Sequence, residues 1–422
     1  MQPDATVPSR SVSEFMSPRL RLIAFAALVA GLFLRTFGLV LNPGAPLVDC
    51  DGRASFVMGM SWARGMGLYL DDPALLDLCA LFGLEKLGPA HHFAPGLALI
   101  EGAFFLLLGN EVLAVVVPLL LISWLAVGAM WWTTRNLFGT DAALLAAAAV
   151  SLEWTGILFG TWKGFSENLV VIALTLTLWA VLRGLRDDRF MLAAGVFAAV
   201  GYLSKASMGP FFLIAGFAGL AWRLLYRGRS VLLNGWYWAA IGIFAIPVVV
   251  WGLRNISLFW DGTPAGLLGA WQTSEVVGRM VETAIAQPAE LAVGLGGKLP
   301  ILAIGLLLPF LPLLPRLAAA VANRRWRAED ALGLWMTVGL IFFLGWLFAA
   351  MFWVSEDTSL LWADPLRYVM AAQVPLLWLI LREGGPYSTR AWSLSFAILA
   401  VLTLVMPFLL QPGNLLSISL PR

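Results

Sequence analysis

The chain has 422 residues, 60% hydrophobic and 12% charged, with a net charge of +2. Soluble domains carry about 45–50% apolar and about 25% charged residues, so this composition specifies an all-α, multi-span membrane protein. It excludes disordered, collagen-like and disulfide-scaffold classes, and gives a nucleic-acid partner no electrostatic support.

In chain order, residues 1–19 form a short arm ending in basic residues. It runs into the apolar stretch 20–41 with no small-residue cleavage site, the pattern of an uncleaved signal anchor. Crossing a bilayer takes about 17–25 apolar residues. Eleven stretches qualify: 20–41, 112–134, 141–160, 167–184, 190–206, 208–226, 236–254, 298–314, 331–353, 366–382 and 391–410. Together they make a membrane domain over 20–410, followed by a tail at 411–422. The stretch 96–108 is short for a span and reads as an interfacial or re-entrant helix.

Charge orients the spans. With the N-terminus inside, the inner segments hold 16 of the 27 basic residues and 8 acids, a net +8, and the remainder is net −6. Every short inner loop carries an arginine, so the positive-inside rule favours N-in and C-out. Counting 96–108 as a span would reverse this order. Arginine outnumbers lysine 23 to 4, a bias of GC-rich bacteria that suggests a bacterial inner membrane.

The inner loops are short connectors, whereas the outer segments 42–111 and 255–297 are long. The first predicts helices over Arg53–Arg64, from Asp72-Pro73 onward, and over 96–108. In the second, Glu275, Arg279 and Glu282 share one helical face, most simply a solvated one. A third outer stretch, Ser355–Asp364, is acidic and leads to Arg367-Tyr368. No P-loop, dinucleotide fingerprint, GxSxG or CxxC is present, which leaves the outer face as the expected place for chemistry.

Several elements carry a resemblance. Val48-Asp49-Cys50-Asp51-Gly52 precedes a helix ending at Gly65-Met66-Gly67. His91-His92-Phe93-Ala94-Pro95-Gly96 leads into an apolar segment. Then come Asn136-Leu137-Phe138-Gly139, Ser166-Glu167-Asn168-Leu169, Trp251-Gly252-Leu253-Arg254-Asn255 and Arg367-Tyr368 with Pro375. In this order they resemble the GT-C glycosyltransferases that use polyprenyl-phosphate sugars, among them protein O-mannosyltransferases and lipid A aminoarabinose transferases. The resemblance covers about residues 20–385. It departs at Gly52, where the family has an acid, at Ala94-Pro95, where it has a proline pair, and at Asn168, where it has proline.

The resemblance implies transfer of a sugar from a polyprenyl phosphate to a hydroxyl on a glycan, lipid or protein acceptor, with inversion. Asp51 is then the base, with Asp49 as its rival and helix capping as its structural alternative. Arg254 and Arg367 are the preferred phosphate ligands, with Lys163, Lys205 and Lys298 as weaker candidates and headgroup snorkelling as the alternative. His91 and His92 either contact substrate or help hold a divalent ion. Glu167 binds a sugar or pairs with Lys163. Glu153 sits near an outer span end, and Arg35 snorkels or pairs with an outer acid. Cys50 and Cys79, the only cysteines, either form a disulfide or remain thiols. Outer tryptophans Trp162, Trp260, Trp271 and Trp362 belong to interfacial belts or stack on sugar. A transporter or flippase for lipid-linked sugars and a polysaccharide polymerase or ligase are the competing functions.

Overall fold

The computed structural model describes residues 16–79, 87–90, 94–184, 187–205, 228–260, 307–322, 369–382 and 386–410, with single positions 212, 220, 224 and 262. The described chain is helical apart from one two-residue strand pair. Helix α1 is Pro18–Leu41, capped by the Ser17 hydroxyl on Leu20 N–H and opened by proline at its first position. Helices α2 (Cys50–Ala63), α3 (Ala74–Leu78) and α4 (Pro95–Leu108) follow. Strands β1 (Tyr69–Leu70) and β2 (Gly88–Pro89) pair antiparallel between them. Helix α5 is Glu111–Phe138, with Glu111 in its first turn and Arg135 in its last, both favourable to the helix dipole. Then come α6 (Thr140–Ser151), α7 (Trp154–Ile157), α8 (Glu167–Gly184), α9 (Phe190–Ser204) and α10 (Gly235–Phe259). Helices α11 (Leu314–Ala322), α12 (Val369–Arg382) and α13 (Thr389–Leu410) complete the described set.

Among the described residues, α1, α5, α8, α10 and α13 are long and apolar enough to cross a bilayer. The protein is therefore a multi-pass membrane protein. Its helices are apolar outward as well as inward. In α1 the face Leu22, Phe25, Val29, Phe33 and Phe37 is exposed, while Leu20, Ala24, Ala27, Gly31, Arg35 and Leu39 are buried. That is the pattern of a helix with lipid on one side and protein on the other. Alanine-rich α6 is almost wholly buried in the bundle core, where its small side chains let neighbouring helices approach closely. At 14 residues α4 is about 21 Å long, short of the roughly 30 Å hydrocarbon thickness, in keeping with an interfacial reading.

Two expected spans differ. The stretch 141–160 is not one helix. It breaks after Ser151, α7 and a π-helical turn at Leu158–Trp162 continue it, and the two parts meet at 56°. The Glu153 carboxylate causes the restart, accepting from Gly156 N–H at 2.7 Å and from the Thr155 hydroxyl at 2.7 Å. Only the end of the expected 298–314 span is described, and Leu308–Leu313 is a 3-10 turn set by Pro309 and Pro312, with α11 after it. The expected spans 208–226 (apart from positions 212, 220 and 224) and 331–353 lie outside the described residues.

Arg35 also departs from expectation. It neither snorkels nor reaches an outer acid, but is fully buried. Its guanidinium donates to Ser151 O at 3.0 Å, Val150 O at 2.6 Å, Ser123 Oγ at 2.8 Å and Asn168 Oδ1 at 3.2 Å. The break in the sixth helix frees carbonyls that lipid cannot satisfy, and the guanidinium takes two of them.

Candidate active site

Polar groups gather at both ends of the bundle. At one end lie the arginine-bearing connectors: Arg21 pairs with Asp141 at 3.2 Å, Asn234 with Asp188 at 2.5 Å, and Arg316 donates to Pro386 O at 3.1 Å. Chain direction puts the C-termini of α1, α9 and α10, the end of the broken span and the N-terminus of α8 at the other end. Every described candidate of the sequence reading lies there.

A 3-10 turn, Ala45–Val48, carries the chain from α1 to the head of α2. Asp49, in extended backbone, is the N-cap residue, and the helix begins at Cys50, three residues earlier than expected. Asp51 therefore stands in the first turn rather than at the cap, where its negative charge meets the positive end of the helix dipole. Asp49 makes no side-chain cap bond; its carboxylate accepts from Lys163 Nζ at 2.8 Å. Lys163 also lies over the rings of Phe159 and Phe165, at 5.4 and 5.7 Å.

The departure at Gly52 has a physical cause. A Cβ there would run into the backbone oxygens of Pro46 and Lys163. Only glycine lets α2 lie this close to the turn at Lys163-Gly164, where Gly164 adopts a φ of +71°. An acidic side chain has no room beside Asp51.

The structural alternative for Glu167, a pair with Lys163, does not form. Glu167 pairs instead with Lys205 at 2.5 Å, while Lys163 goes to Asp49. The i,i+4 rule fails here because Lys163 precedes the turn and Glu167 opens a new helix. Arg254 stacks 4.5 Å from the Trp251 ring centroid and donates to Ala90 O at 2.6 Å, Leu68 O at 3.2 Å and Asn255 Oδ1 at 3.0 Å. It thus grips the β1–β2 ribbon at both ends, just before β1 and just after β2. Trp260 is half exposed, whereas Trp162 donates to Leu34 O at 3.3 Å.

The first loop is tied together locally. A disulfide joins Cys50 to Cys79, both buried, with Cα atoms 5.1 Å apart. Arg53 Nε bonds Asp72 Oδ2 at 2.6 Å, and Asp72 Oδ1 accepts from Ala74 N–H at 3.0 Å. These bonds, the one from Arg53 foremost, hold the Asp72 carboxyl below its usual range. Glu101 on α4 is fully buried against α2, accepting from Ser55 Oγ at 2.8 Å, and burial pushes its carboxyl up to about 8. Sequence reasoning missed Glu101 and Arg53–Asp72; an acid inside the apolar run 96–108 was the available signal for the former.

His91, His92, Arg367, Lys298, Trp271, Trp362 and the Glu275–Glu282 face lie outside the described residues. Among the described residues no group of three or more His, Cys, Asp or Glu side chains comes together to hold a metal ion.

Comparison with known proteins bears on the family. Residues 92–252 match the family model described as dolichyl-phosphate-mannose-protein mannosyltransferase. No curated protein sequence matches. Among solved structures, ArnT from Cupriavidus metallidurans in the apo state aligns at 17% identity and a TM-score of 0.49, over 89% of this chain and 61% of that one. The Archaeoglobus fulgidus oligosaccharyltransferase aligns at 15% identity in its apo form, TM-score 0.48, over 91% of this chain and 55% of that one. Its complex with Zn and sulfate aligns at 15% identity and 0.45, over 90% and 53%. This chain thus spans less than two thirds of the length of each. The family match to residues 92–252 bears out the GT-C resemblance read from the motifs, and over that segment the chain is similar to the protein mannosyltransferases.

Proposed function

We propose that the protein is a membrane glycosyltransferase that moves a sugar from a polyprenyl-phosphate donor to an acceptor hydroxyl on the outer face of a bacterial inner membrane. The observation that carries this reading is the charge pair at the head of α2: Lys163, from the end of the π turn, has its Nζ 2.8 Å from Asp49, two residues ahead of Asp51 in the first turn of that helix. The family match to residues 92–252 supports the reaction class.

In this reading Asp51 is the base. It removes the acceptor proton as the hydroxyl oxygen attacks the anomeric carbon, the bond from that carbon to the phosphate oxygen breaks on the opposite side, and configuration inverts. Asp49 accepts from Lys163, and its task in this reading is to hold the lysine. Lys163, with Arg367, meets the charge building on the leaving lipid phosphate. Arg254 already spends three donor contacts on Ala90, Leu68 and Asn255, so its contribution is to hold the ends of the β1–β2 ribbon, with its remaining N–H groups turned to phosphate. Lys205 and Glu167 neutralise one another at the same end and face the acceptor or donor sugar. The lipid chain stays in the bilayer while its headgroup meets the loop 42–111.

A transporter for lipid-linked sugars is the rival, because broken helices mark many transporter sites. The break after Ser151 is filled by Arg35, which leaves its carbonyls no role in a moving ion. The deciding experiment offers purified protein in proteoliposomes a panel of polyprenyl-phosphate sugars with radiolabelled sugar, and reads the anomeric configuration of the product by NMR. Transfer with inversion is expected. Donor movement across the bilayer without any new glycosidic bond would favour the transporter.

A further inference from the structure

The buried polar cluster around Arg35 joins four membrane segments at the level of the helix break. Arg35 on α1 donates to Ser123 Oγ on α5 and to Asn168 Oδ1 on α8. Asn168 Nδ2 donates to Gly156 O and to Thr161 Oγ1, each at 3.2 Å. Thr161 Oγ1 in turn bonds Gly156 O at 3.1 Å and shares a 2.8 Å hydrogen bond with Ser123 Oγ. Arg35, Ser123, Thr161 and Asn168 all have no exposed surface.

The cluster encloses the π-helical turn Leu158–Trp162. A π turn is held by bonds one residue longer than those of an α-helix, and here Lys163 N–H reaches back to Leu158 O at 2.9 Å. What leaves that turn touches the head of α2 twice. Lys163 Nζ bonds Asp49, and Lys163 O lies where any side chain at position 52 would stand.

We propose that Arg35 and Asn168 are positioning residues for the transfer site: together they fix the π turn, and through it Lys163, against the Asp49–Gly52 start of α2. The proposal rests on the reading of this end as the site of sugar transfer. Four donor contacts on a rigid planar fork are a task for arginine; lysine, with three donors on a flexible stem, cannot span the same acceptors. Asn168 supplies both an acceptor for the guanidinium and a donor for the turn. The proline found there in the GT-C pattern supplies neither, so the departure at position 168 and the buried arginine at 35 form a matched pair in this chain.

The test is a pair of mutant cycles on the full chain in proteoliposomes, with Asn168→Ala and Arg35→Met each combined with Lys163→Ala. Asn168→Ala should lower kcat/KM for transfer by about 10-fold, the usual effect of one hydrogen bond to a charged group. In the Lys163→Ala background the same change should cost less than about 2-fold, because coupled residues are not additive. Equal losses in both backgrounds would overturn the proposal, as would a wild-type rate for Lys163→Ala alone. Since Arg35→Met removes four contacts and can prevent folding, Asn168→Ala carries the decision. A second readout needs no turnover: competitive labelling with an amine reagent, quantified by mass spectrometry. Lys163 should label several-fold faster in Asn168→Ala than in the wild type, and an unchanged rate would overturn the proposal. Faster labelling in a protein whose Asp51→Asn variant keeps full transfer would instead overturn the functional reading beneath it.

Discussion

Replacing Gly52 by alanine probes the closest packing around the site. The added Cβ meets two backbone oxygens, those of Pro46 and Lys163, and neither can move as a side-chain tip would. Each must retreat by about 1 Å to reach ordinary contact, and overpacking of this kind costs about 1–3 kcal/mol. Because one of those oxygens belongs to Lys163, the retreat also draws the lysine from Asp49. Gly52→Ala should therefore lower both the midpoint of thermal unfolding and the transfer rate, and Gly52→Glu, which restores the acid of the family pattern, should be worse rather than better. Gly128→Ala and Gly242→Ala serve as controls: both glycines lie in helices with open space at the Cβ, so alanine there should leave stability unchanged or raise it by up to about 1 kcal/mol. The assay is scanning unfolding of purified protein in nanodiscs beside radiolabelled transfer. Wild-type values for Gly52→Ala would refute the packing of α2 on the Lys163 turn.

Other consequences follow from the first loop. Cys50→Ser with Cys79→Ser should destabilise residues 42–111 by about 2–4 kcal/mol, seen as faster proteolysis of that loop under non-reducing conditions, with no effect of added reductant on the double mutant. Asp72 has a lowered pKa in the folded protein, so its bond with Arg53 stabilises above the unfolded carboxylate value of about 3.9, and that stability drains away as pH falls through the lower folded value. Unfolding scans should show this acid loss, and Asp72→Asn should remove it. Glu101 has the opposite sign. With a folded value of about 8 and an unfolded one near 4.3, the folded state holds the extra proton, so stability declines as pH rises between the two. Glu101→Gln should flatten that decline; an unaltered pH profile would contradict burial of the carboxyl between α2 and α4.

Hydropathy carried the helical spans that the described residues show. A lipid-facing helix must be apolar for about 20 residues whatever its neighbours are, so α1, α5, α8, α10 and α13 were legible one at a time. The break at Ser151 was not, because Leu152-Glu153 is a small polar interruption whose effect depends on Arg35 arriving from another helix. For the same reason a lone arginine in an apolar run reads as snorkelling; its partners Ser123 and Asn168 lie 88 and 133 residues away in sequence. A search for polar residues inside other spans would have suggested the cluster. At the site the residue types were legible and the pairings were not. Lys163 and Glu167 have helical spacing, yet Gly164 turns the chain between them and each finds a partner elsewhere. Asp49 and Asp51 straddle a helix start, and only the observed boundary separates the cap residue from the first-turn residue.

The most direct measurement is the transfer rate of Asp51→Asn, purified and reconstituted, with unfolding temperature and the Cys50–Cys79 disulfide as controls for folding. Loss of a general base lowers rate by about 10²–10⁴-fold. The account predicts a fall in that range with the fold intact. Wild-type transfer by a correctly folded Asp51→Asn protein would contradict it.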